Sequence, residues 1–371
     1  MKKLLFLAML FLTLACEKDD DGPDSPPQYA TEVNFNVTVL MRNDDSDRIS
    51  YDINIGTELI GPVNLTDQPG FPFSPGYNTD GNYLIFFDRF QEAKSWKKNV
   101  ATGEIETFEN YFIPPNPATS IRNYATKDYL LTFYRNFFGA NPEDLFLHIY
   151  EMATGNFETI FFTDEDYNPN ESLTRFAYGN KFMGVFRNAA GERVMKIVNL
   201  DTPQDNHLID INDRRSYTAV ENEIFLFGDD GYRIFDIGSG QLGSVNLTEE
   251  TINSPTPFFY TNKLENRLSF EFPYAQPSQI SKGPALFNLD TGRVELFDLD
   301  MFRLNLQENF QYLSGADFSY VNQEEGVIVL SYSYSTEQSG LEYGIAFLNF
   351  QMEVISTVRI PFPPFEIMIH E

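Results

Sequence analysis

One unit recurs along the chain and limits what it can become. It is a strand, a tight turn carrying glycine, and a returning strand. Asn99-Val-Ala-Thr-Gly103 leads into Glu104-Ile-Glu-Thr-Phe108, and Tyr150-Glu-Met-Ala-Thr-Gly155 leads into Asn156-Phe-Glu-Thr-Ile160. Phe235-Asp-Ile-Gly-Ser-Gly240 and Phe287-Asn-Leu-Asp-Thr-Gly292 repeat it, and degenerate copies stand at Val198-Asn-Leu-Asp-Thr-Pro203 and Leu348-Asn-Phe-Gln-Met352. Glycine supplies the positive φ that a tight hairpin demands, and the turn reads as two residues long.

Upstream of each hairpin lies an apolar strand after a polar turn. The six examples are Tyr83-Leu-Ile-Phe-Phe87, Tyr129-Leu-Leu-Thr-Phe133, Phe182-Met-Gly-Val-Phe186, Ile224-Phe-Leu-Phe227, Arg267-Leu-Ser-Phe-Glu271 and Val327-Ile-Val-Leu330, with starts 42 to 60 residues apart. A short strand with a central aromatic precedes most of them, at Tyr124, Phe176, Tyr217, Phe259 and Phe318. Each unit is thus four antiparallel strands, with the apolar second strand innermost or next to it. Four strands recurring every roughly 40 to 50 residues mark a propeller blade.

Six units are complete. Strands at Val33–Leu40, Ile49–Ile55 and Leu59–Leu65, with Phe365–Ile369 at the other terminus, supply a composite seventh that would hide the open sheet edges. The expected fold is all-β: a β-propeller of four-stranded antiparallel blades, closed by N- and C-terminal strands. Seven blades fit, with six or eight as alternatives. Beyond the N-terminus no helical stretch exceeds a turn or two. The blades resemble propellers in general. They lack the Gly-His and Trp-Asp pairs of WD repeats, the Gly-Gly pair of kelch repeats and the Ser-x-Asp-x-Gly-x-x-Trp box of sialidases.

The N-terminus, MKKLLFLAMLFLTLAC, has a different character. Lys2 and Lys3 precede an apolar run from Leu4 to Leu14, too short to span a bilayer, which takes roughly 20 residues, but matching a signal-peptide core. Ala15 then precedes Cys16, the only cysteine. The segment resembles the lipobox of bacterial lipoproteins, though Thr13 stands where that family prefers Leu. The resemblance implies that residues 1–15 are a signal peptide and that Cys16 carries the lipid. Glu17, Lys18, Asp19, Asp20 and Asp21 follow, and this acid-rich tag resembles the surface-export signal of Bacteroidota lipoproteins. It implies an outer-membrane protein facing the cell exterior, with the periplasmic face as the alternative. Residues 16–30, with Pro23, Pro26 and Pro27, form a solvated tether, and residues 31–371 form the propeller domain.

The formal net charge is −28, and removing residues 1–15 takes away Lys2 and Lys3 and no acid, leaving −30. Such a chain does not neutralise phosphates, so nucleic acid is excluded as a partner. It is also repelled by anionic lipid surfaces, so the membrane is contacted through the lipid alone. One cysteine allows no intrachain disulfide. Stability must come from the core, for which 36 Phe and 20 Tyr supply the area.

Chemistry is sparsely signalled. His148, His207 and His370 are far apart without ligand spacing, which argues against zinc. They read as surface or half-buried residues, His207 in a hairpin. Oxygen side chains alternate at Asp164, Asp166, Asn168 and Asn170, but Pro169 and Arg175 occupy the positions where a calcium loop needs Gly and Glu. That segment, the cluster Asn43, Asp44, Asp45 and Asp47, and the turn at Asp229-Asp230-Gly231 read as solvated loops, with calcium the minor alternative and no other cofactor expected. No residue is nominated as catalytic, and no nucleophile motif or phosphate loop is present. The expectation is a non-catalytic binding or scaffold module for a glycan, peptide or protein partner. The alternative is a glycan-degrading enzyme with paired carboxylates in the propeller channel.

Overall fold

The apolar run that opens each unit is continuous because both faces of that strand are buried. The structure is a computed structural model. It describes residues 30–370 apart from 46, 55–57, 66–75, 88–93, 114–117, 137–144, 163–164, 167–174, 189, 205, 213–215, 221, 229–230, 247–261, 274–281, 307–311 and 336–339. Leu84 and Phe86 point into one interface, Ile85 and Phe87 into the next. Ile224 and Leu226 are split from Phe225 and Phe227 in the same way. A strand sandwiched like this belongs inside a stack of sheets.

The stack has seven sheets. Blade I comprises Gly76–Asp80, Tyr83–Phe87, Lys94–Asn99 and Ile105–Glu109; blade II comprises Ala118–Ala125, Tyr129–Asn136, Leu145–Glu151 and Phe157–Phe162. In blade III two short strands, Glu165–Asp166 and Arg175–Tyr178, share the inner position beside Lys181–Asn188, Arg193–Asn199 and Asn206–Asp210. Blade IV comprises Ser216–Val220, Glu223–Gly228, Gly231–Asp236 and Leu242–Asn246; blade V comprises Lys263–Leu264, Arg267–Pro273, Lys282–Asn288 and Val294–Leu296. Blade VI comprises Tyr312–Asn322, Val327–Ser335, Leu341–Asn349 and Val354–Ile360. In blade VII the order is Pro364–His370, Asn36–Arg42, Arg48–Ile53, Leu59–Asn64, so the inner strand comes from the C-terminus and the other three from the N-terminus. All pairings are antiparallel, and the apolar strand is second from the inside, next to innermost.

Seven hydrophobic clusters fill the seven interfaces, one each. Leu40 and Met368 of blade VII meet Leu84, Phe86 and Trp96 of blade I. Val327, Val329, Ile345 and Phe347 of blade VI meet Val37, Val39, Met41 and Ile367 of blade VII. The remaining five join I to II, II to III, III to IV, IV to V and V to VI. The ring is therefore closed by packing as well as by pairing. Each fully buried Leu, Ile or Phe contributes about 1.5–3 kcal/mol.

The recurring hairpin joins the third and outer strands, and its loop is four residues long, not two. Asn99 N–H donates to the Glu104 carbonyl at 2.9 Å and Gly103 N–H to the Asn99 carbonyl at 2.8 Å, enclosing residues 100–103. A two-residue hairpin turn needs positive φ at its first position, and in type I′ at both, whereas this loop has its one glycine at the last position, with φ 76°. The Asn99 side chain accepts from the N–H of Ala101 and Thr102, which holds the first half of the loop. The residue after the third strand also ties back: Val100, Met152, Leu200, Ile237 and Leu289 each donate their N–H to a carbonyl of the inner-to-second turn, on Asn82, Asp128, Asn180, Asn222 and Asn266, at 2.8–2.9 Å.

The ring thus has a hairpin end, carrying these loops, and a connection end, where outer strands pass to the next blade. One connection holds a short helix, Leu299–Asn305, capped by the Asp298 side chain accepting from Met301 N–H, with Phe302 buried between blades V and VI.

Candidate functional site

Cys16 and the tag Glu17, Lys18, Asp19, Asp20 and Asp21 lie outside the described residues, as do Asp164, Asn168, Asn170, Asp229, Asp230 and Phe259. Asp166 pairs with Arg187 at the inner edge of blade III. Asn43 and Asp47 close their own loop: Asn43 Oδ1 accepts from Asp47 N–H at 2.7 Å, and Asn43 Nδ2 donates to Asp47 Oδ2 at 3.2 Å.

Two of the three histidines are buried, against the expectation of surface or half-buried positions, and His207 sits exposed in the outer strand of blade III. His148 faces blade I from the third strand of blade II. Its Nε2 donates to the Tyr111 carbonyl at 2.9 Å, so its Nδ1 accepts from the Thr159 hydroxyl at 3.1 Å. Burial lowers its pKa and the carbonyl bond partly offsets this. His370 closes a relay within blade VII: its Nε2 contacts the Thr38 hydroxyl, which donates to Asp52 Oδ1 at 2.6 Å. Lys98 of blade I is buried near the same carboxylate; burial lowers its pKa and Asp52 raises it. This relay joins three strands of the composite blade and serves closure.

At the hairpin end the Tyr129 hydroxyl donates to Asp201 Oδ1 at 2.6 Å, and Asn180 donates to the other carboxylate oxygen. The Tyr129 bond is the main reason that Asp201 sits below the usual carboxylate range; burial, then the Asp201 bond, pushes Tyr129 up. Asp290 accepts from Asn266 in blade V as Asp201 does from Asn180. These groups staple the loops.

The inner strands carry the chemically distinctive group. The fifth residue of the second strand is Phe87 in blade I, Phe133 in II, Ser331 in VI and Leu40 in VII. Their inner-strand partners are Gly76, Arg122, Asp317 and Glu366. At one level of the inner strands, therefore, adjacent blades VI and VII carry the carboxylates Asp317 and Glu366, and blade II carries the guanidinium of Arg122. Register shifts lie close to both carboxylates, between Phe318 and Tyr320 and between Leu40 and Met41, where Phe365 is the extra residue. Bulges of this kind re-aim side chains. Glu366 is partly accessible, and burial pushes it up to about 7. A carboxyl at that value can hold or release a proton near neutral pH. None of these residues was nominated from the sequence, because only strand register brings them to one level.

No family model matches the chain. No curated protein matches it either. Among solved structures the chain is similar to the β-propeller domain of the Trilobed protease from Pyrococcus furiosus, at 9% identity over 87% of this chain and 98% of that one, TM-score 0.44. It is similar to Porphyromonas gingivalis dipeptidyl peptidase 4, at 12% over 86% and 49%, TM-score 0.44. It is also similar to apo AztD from Citrobacter koseri, at 8% over 92% and 98%, TM-score 0.43. These likenesses concern the fold alone, and the ring itself rests on the strand pairing and the seven seams.

Proposed function

We propose that the protein is a lipid-anchored propeller at the outer face of the outer membrane, binding a glycan, peptide or protein partner without catalysis. The supporting observation is where the chain enters the ring. Asn36 begins its strand at the hairpin end, and Val33 and Phe35 just before it are buried against blades VI and VII. The chain therefore enters the ring from that end. The connection end faces away from the membrane and is the end that meets a partner.

The test is on the anchor. Cys16→Ala removes the acyl acceptor and should abolish labelled fatty-acid uptake and membrane partitioning. Replacing Lys18, Asp19, Asp20 and Asp21 with Ala should keep the lipid and remove the protein from the reach of protease added to intact cells. Lipid uptake by the Cys16 variant would sink the reading.

Glu366 and Asp317 favour a second reading, a surface glycan hydrolase using these two carboxylates. It requires hydrolysis that Glu366→Gln and Asp317→Asn each remove. The binding module requires retention on a glycan or partner column with no turnover.

A further inference from the structure

Among the described residues, the outer strand of every blade leaves one edge without a strand partner, and natural sheets blunt such edges. Here Leu59–Asn64 carries Pro62, Ile105–Glu109 carries Glu106 and Glu109, Asn206–Asp210 ends in an acid, and Leu242–Asn246 carries Gly243. Val294–Leu296 is only three residues long, and Val354–Ile360 exposes Arg359. Several of these strands also expose aliphatic side chains, such as Ile60, Ile105 and Leu208; among the described outer strands, blade II alone exposes aromatic rings. Its outer strand, Phe157-Glu-Thr-Ile-Phe-Phe162, leaves Phe157 70% and Phe161 43% exposed. Its one charged residue, Glu158, accepts a hydrogen bond from Gln204 of blade III at 2.6 Å.

Strand alternation puts Phe157, Thr159 and Phe161 on one face. Both rings are backed by other rings: Phe161 lies 5.0 Å from Phe146, and Phe157 lies 5.2 Å from His148. On that face the sequence Phe-x-Thr-x-Phe reads the same in both directions. We infer that this edge pairs with the same strand of a second copy of the protein, antiparallel and centred on Thr159. In that register Thr159 stands opposite itself, and Phe157 of each copy stands opposite Phe161 of the other. Moving the centre by one residue either way separates both ring pairs. The palindrome is what selects a second copy over an unrelated strand, and cross-strand aromatic pairs are favourable in this arrangement. The result is an eight-stranded sheet running through two rings side by side, leaving both ends of each ring open.

The full chain on expressing cells allows a direct test, because Cys16 is its only cysteine. Residues directly opposite one another in an antiparallel pair have their Cα atoms about 4.5–5.5 Å apart, within disulfide reach. Thr159→Cys should therefore give a dimer band on a non-reducing gel after mild oxidation, several-fold above Glu158→Cys or Ile160→Cys, with the parent chain as background. Glu158→Cys combined with Ile160→Cys should cross-link as well, since the register sets these two opposite each other. Adding Phe157→Glu to Thr159→Cys should cut the band roughly tenfold. Adding Phe157→Lys together with Phe161→Glu should restore it, because each Lys then faces a Glu of the other copy; Phe157→Glu with Phe161→Glu should not. Surface level, checked by antibody, shows that each variant is folded and exported. Equal bands at 158, 159 and 160, or a band indifferent to Phe157→Glu, would overturn the proposal.

Discussion

His370 reaches back 332 positions to Thr38, placing its Nε2 2.9 Å from the hydroxyl. The hydroxyl has one hydrogen and gives it to Asp52, so the imidazole is the donor in this contact. Both Thr38 and His370 are buried, and a buried network in which each member is satisfied specifies one arrangement of its strands. Thr38→Val keeps the shape and removes the link, leaving Asp52 and His370 without their common partner. A loss of about 1–3 kcal/mol is expected, read from denaturant unfolding, whereas Thr38→Ser should retain most of the stability.

Deleting residues 361–371 removes the inner strand of blade VII together with buried Ile367 and Met368. Trimming a frayed terminus costs almost nothing. Here the melting temperature should fall by at least about 10 °C, given the lost burial, and the protein should aggregate through its opened edges. A monomer with unchanged melting, by circular dichroism and light scattering, would contradict the closed ring.

Glu366 gives a pH signature whose sign is fixed. Its pKa rises from 4.5 to about 7 on folding, so between these values the native state binds more protons than the unfolded chain. Stability from this group is present at low pH and is lost as pH rises through 7. Glu366→Gln should therefore stabilise the protein at pH 8 by about 2 kcal/mol, allowing for partial solvent access, and change little at pH 4. Unfolding curves of both proteins at the two pH values decide this.

Two glycines separate backbone strain from steric collision. Gly103 has φ 76° with open space around a would-be Cβ, so Gly103→Ala should cost about 1 kcal/mol. A Cβ on Gly344 would collide with the ring of Tyr332. That ring is buried, stacked on Tyr334 and edge-on to Phe302, and cannot withdraw. Gly344→Ala should cost about 2–3 kcal/mol, giving the larger drop in melting temperature.

The blades were legible because a strand buried on both faces reads as an unbroken apolar run, and because the hairpins of blades I, II, IV and V carry a glycine at the turn, at Gly103, Gly155, Gly240 and Gly292. The composite blade was legible because leftover strands at both termini need partners. Boundaries slipped by a few residues: Val33 and Phe35 extend the apolar run but lie ahead of the strand that starts at Asn36. The hairpin loop was misjudged because one glycine marks the turn without giving its length. His148 looked like a surface residue because its partner, the Tyr111 carbonyl, is 37 positions away. The shared level of Glu366, Asp317 and Arg122 was invisible for a similar reason, since it appears only once every register and bulge is fixed.

The borrowed strand of blade VII also sets an order of events. Blades I to VI can be laid down one against the next as the chain becomes available, each needing only its predecessor, as in a linear array. The seventh seam cannot form until Pro364–His370 arrives, and its formation fixes that strand to Asn36–Arg42. A polypeptide that stops short therefore leaves a stack with two raw ends, adhesive and open to proteolysis. Circularity turns completeness of synthesis into stability, so that faulty products mark themselves for removal.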